Sequence, residues 1–153
     1  MSMNRYMKHL LAVLAALFFA GQSFGQIEAM QQKVDISTNF IVLLEKGKIK
    51  KAMDMIQADS VKAHPELKTT LRNASREMKK AMKAGATLFI AITPNEEFTQ
   101  FICNCKYQQK GQTPEDIYQV DVMFINAEGD DISKVRFFDL PALLEKPRDF
   151  TPN

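Results

Sequence analysis

Apolar residues recur at helical spacing up to residue 85 and in alternation after it. Over residues 34–56 the pattern is helical and broken once, with Ile36, Phe40, Leu43 and Leu44 on one face at steps of three and four. Gly47, in "EKGKIKKAMDMI", is placed to take the left-handed conformation that ends a helix. A second short helix then carries Ile49, Ala52, Met53 and Ile56 on one side. "ADSVKAHPE" reads as a connection, with Pro65 in the first turn of the next helix, where its missing N–H costs nothing. That helix runs to about Lys83. Its stripe of Leu67, Leu71, Ala74, Met78 and Met82 reads as core, and Gly85 stops it.

Beyond Gly85 the period becomes two. "ATLFIAIT" (86–93) is apolar on both faces, as a strand covered on both sides is. "TPNEE" makes a turn. "EFTQFICNCKYQQ" alternates, with Phe101, Cys103, Cys105 and Tyr107 facing one way and Gln100, Asn104 and Lys106 the other. After the loop "KGQTPED", "DIYQVDVMFIN" sets Tyr118, Val120, Val122 and Phe124 against Gln119, Asp121 and Met123. "AEGDD" is a hairpin turn, "ISKVRFFD" a last strand, and "LPALLEKPRDFTPN" a short helical turn and loose tail. Helices first and antiparallel strands after is the order of an α+β domain with helices on one face of a sheet.

The first 25 residues read as a leader rather than fold. Arg5, Lys8 and His9 precede the apolar run "LLAVLAALFFA", and Ser23 and Gly25 precede a cut ahead of Gln26. The run is shorter than the roughly 20 apolar residues that span a bilayer. The expected organisation is therefore a secretory signal peptide over 1–25, one α+β domain over 26–139 and a tail over 140–153. The chain is expected to be exported, to a periplasm or outside the cell, with no transmembrane segment once cut. Of 20 basic residues two lie in the leader, so 18 face 18 acidic ones. A balanced chain lacks the surplus positive charge that sequence-independent nucleic-acid binding needs. "GQSFG" matches the nucleophile pattern G-x-S-x-G, but it sits on the cleavage site, and His64 is the one histidine after it.

"FIVLLEKGKIKKAMDMI" and "LKTTLRNASREMKKAMKAG", the second leading into four strands, resemble the nuclear transport factor 2-like superfamily over roughly residues 34–139. The resemblance implies helices closing over a curved four-stranded antiparallel sheet to form a cone. It implies little about activity, because that cone hosts isomerases, hydratases, binding domains and assembly modules.

Cys103 and Cys105 are the chain's two cysteines. On a regular strand their α-carbons stand about 6.6–6.8 Å apart, at the limit of the about 4.4–6.8 Å that disulfides span. A bond between them is awkward and not favoured, and the pair reads first as two small buried hydrophobes. Zinc wants four ligands and only His64 could join them, so no metal site is expected. Phosphate-loop, dinucleotide and zinc-protease patterns are absent, and no cofactor is expected. Tyr107 and Tyr118 face inward with the cysteines, whereas Asp121 faces outward, so no inward pair of carboxylates is available for acid–base work.

Charge is lopsided. Residues 46–83 carry 11 basic and 4 acidic side chains, and the other residues after the leader carry 7 and 14. Lys46, Lys48, Lys50, Lys51, Arg72, Arg76, Lys79, Lys80 and Lys83 make the helical layer positive. Glu96, Glu97, Glu115, Asp116, Glu128, Asp130 and Asp131 make the strand loops negative. Such a field steers partners or favours a homodimer with opposite ends meeting. The leading expectation is an exported non-catalytic domain that binds a small apolar ligand or a protein partner, with Phe101, Cys103, Cys105, Tyr107, Tyr118 and Val120 as candidate pocket. The alternatives are a small pocket enzyme of isomerase or hydratase type and a thiol redox module on the C-x-C pair.

Overall fold

The structure, a computed structural model, describes residues 24–109, 118–125 and 129–138. Most of the expected leader, the 110–117 loop, part of the turn near 127 and the tail beyond 138 lie outside the described residues. Phe24 and Gly25, expected to belong to the leader, form the first positions of the first helix.

That helix, α1, spans Phe24–Glu45 and starts ten residues before the strong periodicity does. Ala29 and Met30 extend its contact with the core there. Its end is fixed by Gly47 at φ 71°. The Gly47 N–H donates to the Leu44 carbonyl at 2.9 Å and the Lys48 N–H to Leu43 at 2.8 Å, the pair of bonds that satisfies the last carbonyls of a helix. The short helix α2 follows, Ile49–Met53. The stretch expected as a bare connection contains a further helix, α3, Ala58–Ala63. Its six residues bury none of their own side chains, so it carries no apolar stripe to betray it. The long helix α4 is Leu67–Lys83, ended at Gly85, φ 90°, by the same two-bond arrangement. Met82 departs from the expected core stripe: it is 44% exposed, so the buried face ends at Met78.

Four strands follow: β1 Thr87–Pro94, β2 Phe101–Gln108, β3 Tyr118–Phe124 and β4 Lys134–Phe138. They form one antiparallel sheet in the order β1-β2-β3-β4. The domain is thus of the α+β class, as the order of patterns implied. The β1–β2 turn is organised by Asn95, whose Oδ1 accepts from the N–H groups of Thr99 and Gln100 at 2.8 and 2.9 Å. This turn consumes residues expected to begin β2. Register sets two cross-strand rows on one face, Ile92–Cys103–Val122–Val135 and Ile90–Cys105–Val120–Phe137. Helices α1 and α4 cover this face with Phe40, Ile41, Leu44, Leu71, Ala74 and Met78, all buried. Each such side chain removed from water contributes about 1.5–3 kcal/mol. Ser75 adds a polar tie, its buried hydroxyl donating to the Leu44 carbonyl at 2.6 Å. The same residue is the third position of Asn73-Ala74-Ser75, a glycosylation acceptor pattern whose hydroxyl is thereby engaged.

β1 departs from expectation. Among the described residues it is an edge strand, and its outward residues Thr87, Phe89, Ala91 and Thr93 are exposed rather than covered.

Gly47→Ala forces a side chain into the left-handed region and toward Lys79 Nζ, 3.1 Å from the new Cβ. The lysine tip moves aside, leaving the backbone term of about 1–2 kcal/mol. A urea titration is expected to show that loss with an unchanged slope.

Candidate functional site

The expected pocket residues occupy the sheet's helix-facing side, and they are packed. Phe101, Cys103, Cys105, Tyr107 and Val120 are at most 1% exposed, and Tyr118 is half-buried. Two cavities, both bordered by Ile56, are lined by other residues. Both cysteines are free thiols, and Cys105 Sγ donates to the Cys103 carbonyl at 3.8 Å.

Three polar groups that the pattern did not single out reach this packed layer. Glu45, at the end of α1, accepts from the Tyr107 hydroxyl at 2.6 Å. Ser37, one turn beyond Lys33 on α1, has a buried hydroxyl with no hydrogen-bond partner among the described residues. It lies near enough to the Cys103 thiol to influence its ionisation. Lys33 is fully buried. Its ammonium donates to the Gly129 carbonyl and stands 5.1 Å from the centroid of the Phe124 ring, a cation–π contact that offsets part of its desolvation. Gln32 Nε2 donates to Asp130 Oδ1 at 2.6 Å, so α1 straps the turn ahead of β4. Lys33 and Ser37 look like ordinary polar residues of an amphipathic helix, and no local signal marks them as buried.

Burial pushes the Cys103 thiol up, with Ser37 and the Lys33 charge pulling it back. Burial also raises Cys105, with Cys103 and Asp121 adding to the effect. Tyr107 is raised by burial first, then by its hydrogen bond to Glu45. Thiolate and phenolate are therefore suppressed in this layer, which removes the nucleophile that a redox exchange needs.

Space for a ligand lies on the helical side. A cleft of about 630 Å³ is lined by Lys50, Met53 and Asp54 from α2 and its end, Ile56 and Ala58, Val61 and Lys62 from α3, and Lys68 from α4. Its floor is Ile56, 6% exposed. The chain at Ile56 pairs with Ile132 as an isolated parallel bridge. The Gln57 N–H donates to Ile132 and the Ile132 N–H to Met55, each at 2.9 Å. Two backbone bonds thus anchor the cleft floor to the residues leading into β4. Met53, Ile56, Ala58 and Val61 give an apolar lining, and Lys50, Lys62 and Lys68 are exposed around it. Lys62 faces Asp59 at 3.7 Å. Among the described residues Lys50 and Lys68 have no carboxylate within 4.0 Å. All 11 basic residues of 46–83 are exposed, and among the described residues only Lys62 and Lys80 of them are ion-paired. The lysines were legible in the charge count; the cleft was not, because α3 was not.

A narrower groove of about 290 Å³ lies on the other side of Ile56, lined among others by Asp59, Ser60, His64, Ser133 and Lys134. His64 Nδ1 is 3.1 Å from Glu66 Oε1. Ser60 Oγ, one turn before it, donates to the Ser133 carbonyl at 2.8 Å. Among the described residues no three His, Cys, Asp or Glu side chains form a metal-binding group, and no helix is long and apolar enough to cross a membrane. A scan against protein-family models and searches of curated proteins and of solved structures find no match.

Two outcomes follow for the packed layer. A thiol reagent is expected to label neither cysteine in the native protein and both in denaturant, and native labelling at the denatured rate would show an open layer. Tyr107 has a folded pKa above its unfolded value of about 10. Its contribution is present below that pH and lost as pH rises above it. The urea midpoint is expected to fall between pH 9 and pH 11, and Tyr107→Phe to flatten that fall.

Proposed function

We propose that this chain is an exported, non-catalytic binding domain whose ligand is a small apolar molecule carrying a negatively charged group, held in the cleft between α2, α3 and α4. The observation that carries the reading is the pairing of an apolar lining with exposed lysines. Met53, Ile56, Ala58 and Val61 line a space of about 630 Å³, and Lys50 and Lys68 stand at it without acidic partners among the described residues. That volume falls in the range of about 300–1,000 Å³ typical of small-molecule sites. Apolar contact supplies affinity there, and a few placed polar groups fix orientation.

The surrounding charge supports the sign. The segment from Lys46 to Lys83 carries a net +7, which draws an anion toward this side and repels a cation. Asp54 is the one carboxylate in the lining, and it opposes the same ligand. Export rests on the positive start, apolar run and small-residue cut of residues 1–25. The helices-then-meander order also fits the resemblance to nuclear transport factor 2-like domains, and a cone-type arrangement is part of this reading. In that arrangement the site moves from the space under the sheet, filled here by side chains, to the outer side of the short helices.

An enzyme of the same fold is the second reading, and the His64–Glu66 contact beside Ser60 is the observation that favours it. Tyr107 does not serve it, since it is buried and bound to Glu45.

The test is a titration with three twelve-carbon ligands of one chain length: a carboxylate, an alcohol and an ammonium. The carboxylate is expected to bind most tightly and the ammonium least. Lys50→Glu and Lys68→Glu are each expected to weaken the carboxylate ~3–10-fold, and Asp54→Asn to tighten it, since a single exposed charge contact is worth about 0.2–1 kcal/mol. Val61→Trp, which fills the cleft, should abolish binding of all three while the thermal melt is kept. Equal affinity for all three, or binding that survives Val61→Trp, would contradict the reading.

A further inference from the structure

The two edges of the sheet are unlike. β4 carries Lys134 and Arg136, charged residues of the kind that discourage a strand edge from pairing with another chain. β1 carries none. From Ala84 to Asn95 there are twelve residues without a single charge. Among the described residues no strand lies on the far side of β1. Its outward N–H and C=O groups form a row, and an uncharged apolar edge of eight residues is a template for strand addition.

The side chains of β1 report the same incompleteness. Register places Leu88, Ile90 and Ile92 opposite Tyr107, Cys105 and Cys103, all buried, on the core side of the sheet. Yet all three remain half-buried, and on the other side Phe89 is 55% exposed. Among the described residues the core continues to this edge and stops without cover.

What fits the edge is written in the strand itself. "TLFIAIT" is self-complementary when laid antiparallel on a copy of itself with Ile90 opposite Ile90. Thr87 then meets Thr93, Leu88 meets Ile92, and Phe89 meets Ala91, a large side chain beside a small one. Inner residues meet inner residues, so the two cores join, and each aliphatic pair gains the cross-strand contact that stabilises sheets. The charges that flank the uncharged run agree. The same alignment sets the end of α4 with Lys83, which leads into β1 of one copy, near the end of β1 in the other, where the turn with Glu96 and Glu97 follows. All three are exposed, and none has an ion-pair partner within its own described chain.

We infer that the protein forms a two-fold homodimer through β1, in which two four-stranded sheets join edge to edge into one of eight strands with Ile90 on the axis. The interface is isologous, so both copies use the same patch, and the edges left among the described strands are the two charged β4 strands. The lysine-lined cleft is formed by α2, α3 and α4 alone, so dimerisation and ligand binding are separable.

The experiment is sedimentation equilibrium combined with register-specific cross-linking. The protein is expected to sediment as a dimer and Ile90→Lys as a monomer. Lys83→Glu, a surface change that leaves the fold intact, should weaken the dimer ~3–10-fold, and adding Glu97→Lys should restore it. Because Cys105 lies directly across from Ile90 on β2, the cross-linking is done in Cys105→Ala. There Ile90→Cys is expected to give a disulfide-linked dimer on mild oxidation, since directly opposed α-carbons stand about 4.5–5.5 Å apart. Ala91→Cys should not. A monomer at ~100 μM, well above the Kd of a specific dimer, would overturn the inference. So would a dimer indifferent to Lys83→Glu, or one that cross-links at 91 and not at 90. A monomer whose β1 amides resist hydrogen exchange would also overturn it, by showing that the chain covers its own edge.

Discussion

The inner row of β2 is the constraint on which this molecule depends. Phe101, Cys103, Cys105 and Tyr107 are all but sealed from water, and the two residues at the middle of that row are small. Large residues along the row would hold α1 and α4 away from the sheet. Cysteine leaves room for Phe40, Ile41 and Leu44 to fill the layer, at the close packing that protein interiors reach. Burial also raises both thiols, which disfavours the thiolate form. The space under the sheet is used up by the protein itself.

Filling that space displaces any ligand to the helices. The two short helices bury little on their own, α2 only Ala52 and α3 nothing, and such pieces do not hold a shape by propensity. They are held by the two backbone bonds to Ile132 and by Gly47, which turns the chain into α2. The result is an apolar recess set among exposed lysines, of which Lys50 and Lys68 have no ion-pair partner among the described residues. Polar anchors complete the frame: Lys33 and Gln32 bind the turn ahead of β4 to α1, and Glu45 binds Tyr107. Removing one partner of the Lys33 or Tyr107 contact leaves a buried group unsatisfied, which costs more than the contact contributes.

The sequence made the large elements legible because their signals are local. Gly47 and Gly85 end helices by a backbone conformation that other residues resist, and period-two alternation orients β2 and β3 whatever packs on them. What it hid depends on residues far apart in the chain. Nothing near Ile56 says that it will pair with Ile132, and nothing near Lys33 says that Gly129 and Phe124 will enclose it. α3 is short and exposed, with no stripe to detect. β1 misled because a strand apolar on both faces reads as one covered on both sides, and here it marks an edge. Met82 kept helical step with the core but lies past the last turn that the sheet covers. For the candidate site, alternation placed Phe101, Cys103, Cys105, Tyr107 and Val120 on one face; whether that face encloses a space depends on helix packing, which alternation does not report. The charge count was closer to the proposed site than the motif search was, because charge segregation survives folding.

Amide and methyl shift mapping during titration with a twelve-carbon carboxylate tests the account most directly. The account predicts saturable shifts confined to Lys50, Met53, Ile56, Ala58, Val61 and Lys68, with the signals of Cys103, Cys105, Tyr107 and Val120 unmoved. Shifts centred on those four buried residues would contradict it, since they would mean that the layer beneath the sheet opens to admit the ligand.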